Sequence, residues 1–297
     1  MTFVYPDFYP EFHCTASDCR HSCCRGWEID IDEDTLRLYD DLSGDLGQTI
    51  RKSIGRDPEP HFVLTDDESC PFLQSDGLCR LILTLGEESL CDICTEHPRF
   101  YNDYPDRTEV GLGLCCEEAV RLLLSSDEPL RLIAELDDDD ELCPTPALRL
   151  RERIFDILAD RSLPLAERMK NALRLAGAAP LDYKTREVAE FFLTLERLDE
   201  SWTRILELLA QCENAPLPEP EGAAYERIAE YLIYRHFAVG NTAEDRAQRL
   251  RFAFLSTRLL YALDSLNDTP LPELVRLFSA EIEYSDQNLL IAIGHFA

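Results

Sequence analysis

Four cysteines fall within eleven residues, in the stretch CTASDCRHSCC from Cys14 to Cys24. More follow at Cys70 and Cys79, at Cys91 and Cys94, and as the pair Cys115 and Cys116. Only Cys143 and Cys212 lie outside this region. Thiolates are ligands for zinc and for iron–sulfur clusters, and ligands for one centre must converge within a few ångströms. Spacings of two to four residues do this locally. Cys19 and Cys23, four apart, would share one face of a helix. Pairs brought from distant segments then close the site. Cys14, Cys19, Cys23, Cys24, Cys70, Cys79, Cys91 and Cys94 are therefore candidate metal ligands, joined by one or both of Cys115 and Cys116. Cys143 and Cys212 are expected to serve as small buried hydrophobes.

With many thiolates and few histidines, an iron–sulfur cluster, 4Fe-4S by its need for four thiolates, is favoured over tetrahedral zinc, which stays open as the alternative. His21 and His97 are near enough in sequence to complete a zinc site, but are expected as surface or packing residues. So many cysteines exceed one cluster's need, which leaves room for a second metal or for redox-active thiols. Other enzyme signatures fail. A C-x3-C-x2-C run starting at Cys19 would need cysteine where Gly26 stands. GLGLCC, residues 111–116, lacks the third glycine of a dinucleotide loop. The sequence contains no P-loop and no G-x-S-x-G.

The elements that must position these thiols differ along the chain. The 297 residues are 45% hydrophobic, so a core can form without metal as its only support. The expected fold class is mainly α with a little β: a cysteine-rich metal-binding region, residues 1–136, joined to an α-helical region, residues 146–297. DDDDELCPTP, residues 137–146, reads as the linker, because its acids repel and its prolines block a helix. In WEIDIDEDTLRLYDDL, alternation at Trp27, Ile29 and Ile31 predicts a short strand. A helix capped at Asp32 or Asp34 follows. Residues 55–81 predict irregular chain with short strands about a turn at Asp76–Gly77, and CCEEAVRLLL starts a helix. Beyond the linker, apolar spacing predicts helices near 146–160, 164–177, 184–211, 223–238, 243–265 and 270–280.

With 29 basic and 58 acidic residues the net charge is −29. That excludes nucleic acid and anionic membrane surfaces as natural partners. It suits solubility or a basic partner. Only Lys52, Lys170 and Lys184 among the basic residues are lysines. The N-terminal residues form no signal-peptide pattern and no segment has the length of a membrane span, so a cytoplasmic location is expected, where thiols stay reduced.

The stretch YPEFHCTASDCRHSCCRGWEIDID resembles the start of the flagellin lysine-N-methylases, a group with a cysteine-rich zinc- or iron-chelating domain. The likeness continues through SCPFLQSDGLCRLILTLGEESLCDICTEHPRFYN and GLCCEEAVRLLL. It resumes at EYLIYRHF and FSAEIEYSDQNL, and so covers most of the chain in order. Where that family has serine before the third-block cysteine, this chain has Cys115, and Glu117 replaces its proline. The resemblance thus makes Cys116 the ligand and Cys115 the extra thiol. In the last block Ala280 stands at the family's arginine and Tyr284 at its histidine, while Glu281 and Glu283 match.

The resemblance implies transfer of methyl from S-adenosylmethionine to flagellin lysines, with an iron–sulfur cluster present. Flagellin, or another lysine-bearing protein, would be the partner. Lysine is a nucleophile only when neutral, and its ordinary pKa is about 10.4. A base or a desolvating site is required. Glu281, Glu283 and Tyr284 are the first candidates and Tyr101 the next. The cluster would either hold the amino and carboxylate groups of S-adenosylmethionine at an open iron or brace the fold. Two rival classes use the same thiols without catalysis: a metal carrier or redox sensor, and a zinc-stapled interaction protein.

Overall fold

The computed structural model describes residues 2–136, 142–266 and 268–296. It is about 52% helical with 11% strand, a mainly α protein with some β. Part of the acidic stretch expected as a linker, and Asn267 of the turn expected before Pro272, lie outside the described residues. The compact units are drawn differently from a 1–136 and 146–297 division: one comprises Met1–Phe12 with Tyr101–Ala297, the other His13–Phe100.

The His13–Phe100 unit is built from short elements. The strands, numbered along the chain, are β1 (Phe3–Pro6), β2 (Ile29–Asp30), β3 (Ile54–Gly55), β4 (His61–Phe62), β5 (Arg99–Tyr104), β6 (Arg107–Leu112) and β7 (Leu132–Glu135). Within this unit β2, β4 and β3 form a small antiparallel sheet in that order. The alternation expected after Trp27 is visible: Ile29 and Ile31 are buried, Asp30 is exposed. Asp32 caps the following helix Glu33–Asp41 by accepting from Thr35 N at 2.8 Å. The turn at Asp76–Gly77 also forms. Gly77 takes φ +82°, which a Cβ would strain.

In the other unit the sheet order is β5-β6-β1-β7. The N-terminal strand β1 lies parallel to β6 and antiparallel to β7. The helices Pro146–Ala159, Leu165–Leu175, Ala223–His236, Ala243–Asp264 and Leu271–Phe278 follow the expected spans closely. The span expected as one helix over 184–211 is two, Thr185–Phe192 and Glu200–Gln211. The break is stabilised by side chains that take the freed backbone groups. Arg197 donates to the Leu195 carbonyl at 2.7 Å, and Asp199 accepts from Ser201 N at 2.7 Å. A final helix, Asp286–His295, was not expected; Ser285 caps it by accepting from Asn288 N.

The arginines do more in this unit than carry charge. Arg151 and Glu109 form a bidentate pair, with bonds of 2.5 and 2.6 Å, that is almost fully buried. Arg227 donates to the Leu123 and Glu128 carbonyls. Planar guanidinium forks suit such sites and ammonium groups do not.

Glu230 supplies a pH-dependent element. It is fully buried on the Ala223–His236 helix, and its Oε2 accepts from Leu130 N at 2.7 Å. Burial raises its pKa to about 8, with Glu226 adding to the rise against the Leu130 amide. An unfolded glutamate titrates near pKa ~4.3. Between roughly pH 4 and pH 8 the folded chain keeps a proton that the unfolded chain releases, so stability falls as pH rises through this window. The loss is on the order of 3–5 kcal/mol by the linkage relation. Glu230→Gln stays neutral and still accepts from Leu130. It is expected to match the wild type in melting temperature at pH 5 and exceed it at pH 8.5. Equal melting curves for the two proteins at both pH values would refute this.

Candidate functional site

The thiols of the His13–Phe100 unit are drawn together by backbone pairing. Cys70 N donates to the Cys24 carbonyl at 2.8 Å, and Gly26 N to the Glu68 carbonyl at 2.9 Å, so Cys24 and Cys70 stand on adjacent chains. Cys79 lies opposite Leu73 across the Gly77 turn. Cys91 begins the short helix Asp92–Glu96 that carries Cys94. Asp32 anchors that helix too: its second carboxylate oxygen accepts from Asp92 N at 2.9 Å. One carboxylate therefore caps two helices and places the Cys91–Cys94 pair.

As a result Cys24, Cys70, Cys79, Cys91 and Cys94 share one core cluster with Ile29, Tyr39, Phe62 and Phe72. Cys91 Sγ lies 3.4 Å from Cys94 Sγ. None of the chain's cysteines forms a disulfide. Among the described residues no group of three or more His, Cys, Asp or Glu side chains is arranged to hold a metal ion as it stands.

The thiols interact electrostatically. The Cys23 side chain, with help from Ser22 and Arg25, lowers the Cys24 pKa to about 6 against burial. The bond from Cys94 lowers Cys91 against burial. Burial pushes Cys70 up to about 12, and the Cys24 and Cys79 thiols add to it. Cys79 is raised mainly by burial, opposed by the Leu81 and Ile82 amides. Cys94 is driven strongly upward by Cys91 and by burial. Some of the five ionise readily and hinder the ionisation of the rest.

The remaining candidates are placed otherwise. Cys14 and Cys23 are exposed and Cys19 is half-buried; none belongs to the core cluster. His97 stacks at a tilt on Trp27, with centroids 5.3 Å apart, and burial lowers its pKa to about 4. Cys116 is in the other unit, at the start of the helix Glu117–Leu123. Cys143 is exposed, not buried as expected, and its N–H donates to Asp106 Oδ2 at 2.9 Å. Cys212 is half-buried at a helix end.

A second polar site is built inside the Tyr101–Ala297 segment. The helix Ala223–His236 is buried nearly all round, yet it carries Tyr231, Arg235 and His236. The last turn before Tyr284, Ser279–Glu283, is a π-helix. Its wider turn brings Glu283 onto that helix. His236 Nε2 lies 2.7 Å from Glu283 Oε1, and Arg235 Nη1 lies 3.4 Å from the same oxygen. Arg235 also donates to Tyr231 Oη at 2.9 Å and stacks its guanidinium 5.1 Å from the Tyr284 ring centroid. Tyr284 is 40% exposed, while its hydroxyl sits against Gly113, leaving no space for a Cβ there. That hydroxyl also donates to the Cys115 thiol.

Charge in this site is well defined. Burial alone would raise the Glu283 carboxyl, but Arg235 and His236 outweigh it and hold it below the ordinary range. Burial lowers His236, more than Glu283 raises it, so the ring is neutral with Nε2–H donating to Glu283. Burial raises Tyr284 far above its ordinary value and Cys115 to about 12, so both keep their protons at neutral pH. The site thus holds one carboxylate, one guanidinium and neutral hydroxyl, thiol and imidazole groups.

Of the three carboxylate and phenol candidates, Glu283 and Tyr284 come together here. Glu281 does not. It accepts from Leu198 N at 3.0 Å and Asp199 N at 2.6 Å, holding the break before the helix Glu200–Gln211. Sequence reasoning named EYLIYRHF as a block but did not single out Tyr231, Arg235 or His236. The signal was available: charged residues inside an otherwise apolar helix are costly unless paired.

These features define a mainly α protein with a thiol-rich unit and a buried Arg–Glu–His–Tyr site. The chain is 30% identical over 146 residues to a lysine-N-methylase of Salmonella typhimurium, covering 44% of this chain and 35% of that protein. The lysine-N-methylase of Salmonella choleraesuis matches equally over the same lengths. The flagellar biosynthetic protein FliU of Salmonella muenchen is 29% identical over 146 residues, 44% of this chain and 82% of that protein. Over this stretch the chain is similar to proteins named lysine-N-methylase and FliU. It spans about a third of the length of the two lysine-N-methylases it matches. No family model and no solved structure matches it.

Proposed function

We propose that the protein is a protein-lysine N-methyltransferase that moves a methyl group from S-adenosylmethionine to the ε-amine of a flagellin lysine. The similarity to proteins named lysine-N-methylase carries this reading. The Arg235–Glu283–Tyr284 site supplies what the chemistry needs. Arg235 disfavours an ammonium nearby, because like charges repel at low dielectric. Glu283, paired with Arg235 and His236, is a weak base and positions Arg235. The Tyr284 hydroxyl can accept from a neutral amine and orient its lone pair. Glu281 and Tyr101, which lie elsewhere, have no part in this step. The acidic surface, net −29, favours approach by a lysine-bearing partner.

The thiol cluster is the proposed metal centre. Its chemistry suits metal: five cysteines pack in one core, and the pKa values of two of them, Cys24 and Cys91, are lowered by neighbouring thiols. A bound cation would favour thiolates throughout and remove their mutual repulsion. Four of Cys24, Cys70, Cys79, Cys91 and Cys94 would hold an iron–sulfur cluster, leaving one thiol over. One distance favours a second reading. Two thiolates on one tetrahedral zinc, with Zn–S near 2.3 Å, stand ~3.8 Å apart. The Cys91–Cys94 separation of 3.4 Å is close to that. A zinc-stapled unit without redox chemistry is the alternative, and so is a metal carrier or sensor.

The test is transfer of isotopically labelled methyl to purified flagellin, located by peptide mass spectrometry. Label on lysine supports the reading. Absence of label from metal-replete, folded protein refutes it.

A further inference from the structure

The helix Leu165–Leu175 carries Ala166, Met169, Lys170, Leu173 and Arg174, spaced at three and four, along one face. Gly177, in the left-handed region at φ +67°, follows its end and sends the chain back over that face. The returning segment is clamped by two arginines of the helix Ala243–Asp264. Arg251 donates to the Ala179 and Pro180 carbonyls at 2.6 and 2.8 Å, and Arg258 to the Leu181 carbonyl at 3.1 Å. Between helix and segment lies a cavity of about 150 Å³. Its floor is Met169 and Leu173, both buried, with Ala166, Pro180 and Leu181 beside them. An apolar cavity of roughly 150 Å³ takes one benzene ring.

The polar part of the wall is lopsided in charge. Lys170, Arg174 and Arg258 line it against one carboxylate, Glu219. Arg258 is only 5% exposed. Three of its N–H groups go to the Leu181, Leu217 and Pro218 carbonyls, which leaves one on each terminal nitrogen. Glu219 Oε1 stands 3.8 Å from Arg258 Nη2 and 3.8 Å from Lys170 Nζ, too far to hydrogen-bond to either. Burial works against the Arg258 charge more strongly than Glu219 and Asp182 support it. A buried cation is normally paired. Lys170 reaches Glu167 at 3.1 Å, and Arg174 donates to Asn171 at 2.8 Å. Lys170 and Glu219 are each a little under half exposed, so this end of the cavity meets solvent.

An apolar floor the size of one ring, beside a buried cation whose carboxylate neighbour stands out of hydrogen-bond range, matches a small organic acid. We propose that this cavity is a binding site for a monocarboxylate with an apolar body of about six carbons. The body lies on Met169 and Leu173. The carboxylate takes the remaining N–H groups of Arg258, with Lys170 at the mouth. An inorganic anion would leave the floor uncovered, and an amine would meet three cations. The site uses none of the residues of the thiol cluster or of the Arg235–Glu283–Tyr284 site, and it does not depend on the methyltransferase reading.

Benzoate binding to the full chain is measured by ligand-detected NMR, beside benzyl alcohol and benzylamine. Benzoate is expected to bind about tenfold tighter than benzyl alcohol, as a charge-assisted hydrogen bond gives, and benzylamine is expected not to bind. Lys170→Gln, at the solvent end, is expected to weaken benzoate about threefold. Ala166→Leu fills the floor and is expected to abolish benzoate binding, with its melting temperature showing that the chain is folded. If Ala166→Leu fails to fold, Lys170→Gln decides. Equal affinity for benzoate and benzyl alcohol overturns the carboxylate assignment. Benzoate binding unchanged by the substitutions, or absent from the wild type at high-millimolar concentration, overturns the site.

Discussion

Cys91→Ser with Cys94→Ser is expected to abolish binding of the proposed metal and to melt the His13–Phe100 unit. This is the largest effect expected. Both residues are in the core cluster, Cys91 is 1% exposed, and they are adjacent at 3.4 Å. That unit has only short strands and short helices, and its thiols share one small core with Ile29, Tyr39, Phe62 and Phe72. The binding energy of a structural metal is also folding energy, on the order of 10 kcal/mol for zinc in small domains. The double variant should lose metal to below one-tenth of the wild-type content. It should also lose a separate unfolding transition, while the helical signal of the Tyr101–Ala297 segment persists. Cys14→Ser is the control, because Cys14 is exposed and outside the cluster. It should keep its metal. Full metal content in the double variant would remove these two thiols from the centre.

Tyr284→Phe is the second. The ring stays over Arg235, but the hydroxyl between Gly113 and Cys115 is lost. Loss of an orienting acceptor at a reacting amine costs on the order of 10²-fold in kcat. Stability should fall by about 0.5–1.5 kcal/mol, the range for one lost hydrogen bond, because the ring packing is kept. Tyr284→His, the residue of the resembling family, should restore more of the rate than phenylalanine does. Glu283→Gln behaves differently. It leaves Arg235 buried beside a neutral amide and costs about 3–5 kcal/mol of stability as well as activity. A wild-type kcat for Tyr284→Phe would take the hydroxyl out of the reaction.

Much of this was legible in the residues. Helix spacing located the long helices of the second half because each buries an apolar face, and Asp32 announced its cap. Cysteine spacing pointed at the five thiols that now share a core, but it could not separate them from Cys14, Cys19 and Cys23. That selection is made by backbone pairing between residues 24–26 and 68–70, far apart in sequence. Strand β6, RTEVGL, was missed because its charged residues are buried. Glu109 is paired with Arg151, 42 residues on. Strand β1 was missed for a related reason: its partners lie beyond residue 106 and beyond residue 131, and pairing so remote leaves no local pattern. Glu281 and Glu283 looked equivalent in sequence. The π-helical turn separates them, sending one to amides and the other to Arg235 and His236.

The scarcity of lysine also gains a physical side. Arg151, Arg227, Arg251 and Arg258 each bind carboxylates or several carbonyls from buried positions. A lysine at any of them would leave acceptors unsatisfied.

The central claim is that the converging thiols hold an iron–sulfur cluster in a lysine methylase. The most direct measurement is the iron, acid-labile sulfide and zinc content per chain of protein purified without oxygen. The account predicts near-stoichiometric cluster iron with matching sulfide. Zinc alone, with no sulfide, would contradict it.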